Sequence, residues 1–214
     1  MFQLTKTWVE REPGIEMVEI RYTWSAVGAA AQWNGQEEAE VMSVVANTTP
    51  RLRQGVIEIP RYLEMKDTYQ LHYRFVFVRG GRGEFSPIFT EEIVAREVPY
   101  IDTVGRITEV RLLWSVNGWT AQNWTQAKLE GLNLTTNDMR AGHDREGEGI
   151  ADDAMYELIR TVPLPRRYVA KVWGPRGATV EYVYQLLRTD SPIPDDDFVT
   201  WDNNQTQNYR VVLP

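Results

Sequence analysis

The C-terminal segment of the chain combines amide and aromatic side chains within one short stretch. A β-type run ends in a polar turn that holds Asn203, Asn204 and Asn208, and a second β-type run follows. Trp201 stands before the turn and Tyr209 directly after its last asparagine. Amides both donate and accept hydrogen bonds, so they suit a ligand with neighbouring hydroxyl groups. Because flat aromatic faces cover apolar C–H groups, the combination predicts a sugar-binding loop.

Further indoles lie in or beside predicted turns, at Trp119, Trp124 and Trp173. Apolar area left in water forgoes roughly 25 cal/mol per Å² of burial, so exposed indoles favour a partner that covers them. These three side chains could stack on a sugar. The alternative is that they pack at the edge of a sheet or between domains. Trp24 and Trp114 each precede a serine in a predicted strand, and we assign both to the core.

The residue inventory argues against an enzyme. The chain has no cysteine and only two histidines, His72 and His143, which excludes thiol nucleophiles, disulfides and thiolate metal sites. The acidic loop around His143 lacks the regular ligand spacing of a calcium loop, and we interpret it as a solvated loop. We therefore predict no catalytic residue, no metal and no cofactor. A dispersed carboxylate pair for glycoside hydrolysis is the enzymatic alternative.

Composition and charge narrow the class of partner. The chain has 214 residues and a formal net charge of −7, and such an acidic chain is a poor candidate for binding nucleic acid. No apolar run approaches the ~20 residues of a membrane span. Residues 1–6 lack the basic and apolar regions of a signal peptide, so we expect a cytoplasmic protein that binds an uncharged ligand.

The sequence repeats itself. Residues 19–28 align with 109–118 at an offset of 90, and the matching identities include a glutamate, an arginine, a tryptophan, a serine and a glycine. Residues 68–75 align with 179–186 at an offset of 111. The difference between the offsets places an insertion in the second copy, at about residues 137–155. Recurrence in the same order predicts a duplicated domain.

Apolar and polar residues alternate with a period of two in residues 18–24, 55–59, 69–77 and 180–186, which is typical of half-buried strands. Short strands separated by glycine- and proline-rich turns favour an antiparallel sandwich. We therefore predict an all-β chain of two tandem immunoglobulin-like antiparallel β-sandwich domains, over residues 1–100 and 101–214. A short linker over residues 97–105 contains apolar residues and predicts that the two domains pack together.

The second half resembles starch- and glycogen-binding modules, most closely carbohydrate-binding module family 21 and more loosely families 25 and 53. The segments that carry the resemblance are residues 169–173, the predicted strand 180–184, and the Trp-Asp-Asn-Asn motif at 201–204 followed by Asn208 and Tyr209. The resemblance implies an immunoglobulin-like sandwich without catalytic activity, whose asparagine-rich loop takes part in α-glucan binding. Asp202 is expected to cap the turn through an Asx hydrogen bond, and structural roles are the alternative for the two flanking aromatics.

The first half departs from this pattern, because residues 84–92 hold no amides where the second half has its Asn-rich loop. We expect the chain to bind an α-glucan polysaccharide or oligosaccharide, with a glucan-active enzyme or a second copy of the chain as further partners. The alternative is a protein-interaction or assembly module that kept the fold without binding sugar, since Trp and Tyr are also enriched in protein interfaces.

Overall fold

A computed structural model describes residues 2–33, 35, 37–59, 67–103, 107–119, 121–130, 166–188 and 198–214. Within these residues every regular element is a β-strand, and all strand pairs are antiparallel. The predicted all-β class is therefore confirmed. The strands are β1 (Phe2–Val9), β2 (Met17–Ser25), β3 (Glu38–Val41), β4 (Ser43–Val45), β5 (Leu52–Ile59), β6 (Thr68–Arg79), β7 (Arg82–Phe85), β8 (Phe89–Asp102), β9 (Ile107–Val116), β10 (Asn123–Gln126), β11 (Lys128–Glu130), β12 (Arg166–Pro175), β13 (Thr179–Arg188), β14 (Phe198–Asp202) and β15 (Tyr209–Val212).

The alternating segments of the sequence form strands with one buried face. In β2, Val18, Ile20 and Tyr22 are buried, whereas Glu19 and Arg21 between them are half-buried. Successive side chains of a strand point to opposite faces, so one face of each such strand joins the core. The same alternation marks β5, β6 and β13, which contain the other predicted strand segments.

The pairing pattern repeats with the offsets found in the sequence. Strand β2 pairs with β6, and β9 pairs with β13. Tyr22 lies opposite Tyr73, and at offsets of 90 and 111 Leu112 lies opposite Tyr184. The two aligned segments of each copy therefore meet in the same register. The agreement between strand register and sequence offsets does not depend on the residue identities that revealed the repeat.

Strand β8 joins the two halves. Its first part pairs with β6 and a longer part pairs with β12, so both halves contribute to one seven-stranded sheet. The other sheets are β1-β5-β4 and a C-terminal sheet in the order β10-β9-β13-β14, where β15 also pairs with β13. The predicted linker is wrong for residues 97–102, which lie inside β8. The sequence signal was ambiguous because apolar residues suit a strand as well as a packed linker.

Direct contacts hold β1 against the C-terminal half. The side chain of Asn123, at the start of β10, accepts a hydrogen bond from Gln3 N at 2.7 Å and donates one to Gln3 O at 3.3 Å. Phe2 packs on Trp114 with ring centroids 5.4 Å apart. The buried residues of both halves form one hydrophobic cluster. These contacts hold β10, the outer strand at one edge of the C-terminal sheet, against β1.

Two sequence predictions fall outside the described residues: the insertion at 137–155 and the acidic loop around His143. Among the residues that the structure describes, no helix has the length and hydropathy needed to cross a membrane. The same part of the chain contains no cluster of three or more His, Asp or Glu side chains suited to a metal ion.

Candidate ligand-binding site

Two exposed indoles meet on the outer face of the C-terminal sheet. Trp124 on β10 is 46% exposed and Trp201 on β14 is 49% exposed. Their ring centroids are 5.8 Å apart, and the ring planes are inclined by 54°. We call these two side chains the indole pair. Together they present a bent aromatic surface to solvent.

Strand register explains why two residues so distant in sequence share one face. Trp124 lies opposite Leu113, and Leu113 lies opposite Val183. Trp201 lies opposite Gln185, which is two residues along β13 from Val183 and on the same face. The indoles therefore lean towards each other across the two central strands of the sheet.

The indole pair rests on aliphatic side chains. Val183 is only 8% exposed although it points away from the sandwich core, and Leu113 beside it is half-buried. Alternate residues of the same strands, such as Leu112 and Tyr184, are buried on the opposite face. An apolar floor of this kind restricts the indoles, so less rotamer freedom is lost when a ligand binds.

Charged groups on this face occur in ion pairs. Arg111 Nε lies 2.5 Å from Glu109 Oε1 on β9, and Arg210 Nη2 lies 2.7 Å from Glu181 Oε1 across β15 and β13. Each pair places opposite charges side by side beside the aromatic surface. Because their charges offset each other, the face offers hydrogen-bonding groups without a strong net field for an ionic ligand.

The asparagine-rich loop interrupts one edge of the sheet. Strands β14 and β15 pair with successive parts of β13, and residues 203–208 leave the edge between them. Asp202 Oδ1 accepts a hydrogen bond from Asn204 N at 3.2 Å, which confirms the predicted Asx turn. Asn203 Oδ1 accepts one from Thr206 N at 3.1 Å. The side-chain amide oxygen of Asn203 therefore stabilises the shape of the loop.

The loop backbone is held in an uncommon conformation. Residues Asn204, Gln205, Thr206 and Asn208 have φ values of 51°, 57°, 76° and 57°. Asparagine tolerates this left-handed region, whereas a β-branched threonine rarely adopts it. The side chains of Asn204 and Asn208, with Gln207 and Arg210, line a shallow depression of about 470 Å³. The loop therefore displays amides on a constrained backbone.

Tyr209 anchors the loop from the core side. Its ring stacks on Tyr182 with centroids 5.3 Å apart, and its hydroxyl donates to Asp202 Oδ1 at 2.8 Å. Burial and the hydrogen bond to Asp202 raise the pKa of Tyr209 to about 12, so the hydroxyl stays protonated at neutral pH. These contacts match the structural alternative for this residue.

The remaining predicted tryptophans are less exposed than the indole pair, and Trp173 lines a groove together with Trp124. Trp173 on β12 is only 1% exposed, so its ring has no free face for stacking and we remove it from the candidate set. It was selected because it precedes a Gly-Pro turn, but β12 continues to Pro175. Trp119 is half-buried in the turn between β9 and β10. Trp114 is fully buried, as expected, whereas its counterpart Trp24 is half-buried.

A groove that the sequence did not reveal begins at Trp124. It has a volume of about 700 Å³ and runs along β10 and β11, over the outer face of β12. Its lining includes Trp124, Gln126, Lys128, Lys171 and Glu97. The two-residue spacing of Trp124 and Gln126 on one strand is the signal that could have placed them on a common face.

The corresponding face of the first half is built differently. At the offset of 111, His72 takes the position of Val183, and it is 6% exposed. Strand β3 pairs with β2 as β10 pairs with β9, and continuing this register one residue before the start of β3 puts Glu37 where the second half has Trp124. Glu37 Oε1 lies 3.6 Å from Arg74 Nη2.

Arg74 also occupies the aromatic surface of the first half. Its guanidinium lies 4.5 Å from the ring centroid of Trp33 and 4.5 Å from that of Phe85. In cation–π contacts of this kind a cation of the same chain covers the ring faces. Residues 86–88 join β7 and β8 at the edge where the second half has its six-residue loop. The indole pair and the amide loop are thus features of the second half.

Comparisons of the chain with protein-family models, with curated proteins and with solved structures give no match. The resemblance to carbohydrate-binding modules therefore stays a prediction from the sequence.

Proposed function

We propose that this protein binds an α-glucan, such as glycogen or a starch-like polymer, without catalysis, and that the indole pair is the centre of the site. The main observation behind this proposal is the contact of two half-exposed indoles, Trp124 and Trp201, above aliphatic side chains. A pyranose ring has an apolar C–H face that an indole can cover. We also propose that each half is an immunoglobulin-like sandwich, as the sequence resemblance implies.

The inclination of the two indoles favours a curved chain over a flat one. Successive residues of a 1,4-linked α-glucan turn relative to each other, so their apolar faces do not lie in one plane. Two rings inclined by 54° can each cover one residue of such a chain. A flat β-linked chain would instead require nearly coplanar rings.

The electrostatics of the face support a neutral, hydroxyl-rich ligand. Paired charges at Arg111–Glu109 and Arg210–Glu181 leave the amides of Gln185 and of the loop as polar partners for hydroxyl groups. Each such hydrogen bond replaces one with water and gains little. We expect weak binding of short oligosaccharides, with stronger retention by a polymer that presents many sites.

Affinity electrophoresis through a gel that contains glycogen tests this proposal. We expect the wild type to be retarded, and Trp124→Ala and Trp201→Ala to lose most of the retardation, because each substitution removes a stacking surface worth about 1 kcal/mol or more. Phe85→Ala is the matched control, since Phe85 is an exposed aromatic of the first half. Unchanged mobility of the folded wild type at every glycogen concentration would refute glucan binding.

One observation favours a second candidate, a protein-interaction or assembly module. Val199 and Val212 are exposed on the edge formed by β14 and β15, and Val199 lies two residues from Trp201 on the same face. An exposed edge with apolar side chains can pair with another chain. Sedimentation of the wild type across a concentration range distinguishes the two: an assembly module forms a stable oligomer that Trp201→Ala weakens, whereas a glucan-binding protein has a mass that is independent of this substitution.

A further inference from the structure

We propose that the groove beside the indole pair holds the continuation of the same glucan chain, so that the site recognises a chain segment and not a single terminal residue. This inference rests on the proposed function. It assigns a binding role to Gln126 and Lys128, which neither the motif nor the loop suggested. Trp124 is the shared element, because it belongs to the indole pair and also lines the groove.

The wall of the groove is rigid. Thr125, between Trp124 and Gln126, accepts a hydrogen bond from Trp114 Nε1 at 2.9 Å and donates one to Lys171 O at 3.2 Å. These contacts tie β10 to the buried Trp114 and to β12. The chain then crosses from the C-terminal sheet at β10 to the seven-stranded sheet at β11. The side chains along this wall therefore stand at fixed positions relative to Trp124.

Spacing along β10 allows one continuous ligand. Trp124 and Gln126 point to the same face and are separated by roughly 7 Å along the strand. A chain that stacks one residue on Trp124 can therefore place the hydroxyl groups of a following residue beside Gln126. A volume of about 700 Å³ lies within the range of pockets that hold molecules larger than a monosaccharide.

The groove has the same electrostatic character as the indole face. Lys128 and Lys171 are offset by Glu97 and Glu130, which line it as well. Lys171 Nζ lies 2.8 Å from Asp67 Oδ1, and Arg167 forms an ion pair with Glu130. Donors and acceptors of both signs without a net charge suit the hydroxyl groups of a neutral polymer and not an anion.

Isothermal titration with α-1,4-linked oligosaccharides of two and of seven glucose units tests the inference. The Gln126→Ala/Lys128→Ala variant is expected to bind the heptasaccharide about fivefold to tenfold more weakly than the wild type, as for the loss of one or two hydrogen bonds. Its affinity for the disaccharide, which the indole pair alone can hold, is expected to stay within about twofold. Gln32→Ala, at an exposed glutamine of the first half, is the matched control.

The wild type and the double variant are compared with the same ligand. A long oligosaccharide can bind in several positions along its length, and this strengthens its binding to both proteins alike. An equal ratio of heptasaccharide to disaccharide affinity in wild type and variant would overturn the groove proposal while leaving the indole site intact. Failure of the wild type to bind either oligosaccharide would overturn the proposed function and this inference together. Preserved disaccharide binding also shows that the double variant is folded.

Discussion

At the scale of single residues, burial decides which aromatic side chains can meet a ligand. Trp173 and Trp201 both lie in strands of the C-terminal half, yet they are 1% and 49% exposed. The difference comes from the strand face: Trp173 is covered within the molecule, whereas Trp201 points out from an edge strand. Tyr209 is turned inward and stacks on Tyr182. Residue type alone could not distinguish these three environments.

His72 gives a residue-scale prediction about pH. It lies within hydrogen-bond distance of Ser25 and Thr90, and burial lowers its pKa below the ordinary value of 6.5. The unfolded chain therefore binds a proton at His72 more readily than the folded protein does. The contribution of neutral His72 to the free energy of unfolding is fully present above pH 6.5 and is lost as the pH falls below that value. We expect the urea midpoint of the wild type to decrease between pH 7 and pH 5 more than that of His72→Val.

Valine is the residue at the equivalent position, 183, so His72→Val is compatible with the pairing of the repeat. The variant lacks the titrating group but retains the acidic residues that titrate near pH 4. Its own decrease therefore measures the background from carboxylates. Identical pH dependence of the two proteins would show that the folded and unfolded states hold the His72 proton equally well.

At the scale of elements, the edge formed by β14 and β15 combines regular pairing with a strained loop. The loop leaves the edge at Asn203 and returns at Tyr209, and side-chain and main-chain hydrogen bonds within it fix its shape. A turn at this place could be read from the sequence, since asparagines favour turns. The run of left-handed residues could not, because Gln205 and Thr206 do not favour that conformation.

Thr206→Gly tests the loop geometry. Thr206 has a φ of 76°, and left-handed backbone costs an ordinary residue roughly 1–2 kcal/mol more than glycine. We expect the substitution to raise the free energy of unfolding by about 1 kcal/mol, measured by urea denaturation. Thr7→Gly in β1 is the matched control and is expected to lower stability, because glycine weakens a strand. A destabilised Thr206→Gly variant would contradict the left-handed loop.

At the scale of the whole molecule, the two halves share a pairing pattern but differ in their exposed faces. The first half fills its face with the Glu37–Arg74 ion pair and with cation–π contacts of Arg74. The second half leaves Trp124 and Trp201 exposed. The candidate site therefore lies in the second half alone, and we expect one ligand per chain instead of two.

Local sequence patterns predicted much of this architecture. Alternation located β2, β5, β6 and β13, and the two offsets of the repeat recur in the pairing of Leu112 with Tyr184. The continuity of β8 between the halves could not be predicted, because it depends on pairing with both β6 and β12. The contact of Trp124 with Trp201 was equally hidden, since it results from the lateral order of four strands.

The most direct test is an NMR titration of ¹⁵N-labelled protein with an α-1,4-linked glucose heptasaccharide, observing the indole N–H signals of its eight tryptophans. Trp124→Phe and Trp201→Phe assign the two decisive signals. We expect these two signals to shift together and to saturate at one ligand per chain, while the signals of Trp8 and Trp24 in the first half change least. Shifts confined to other indoles, or no shift at ligand concentrations in the millimolar range, would contradict glucan binding at the indole pair.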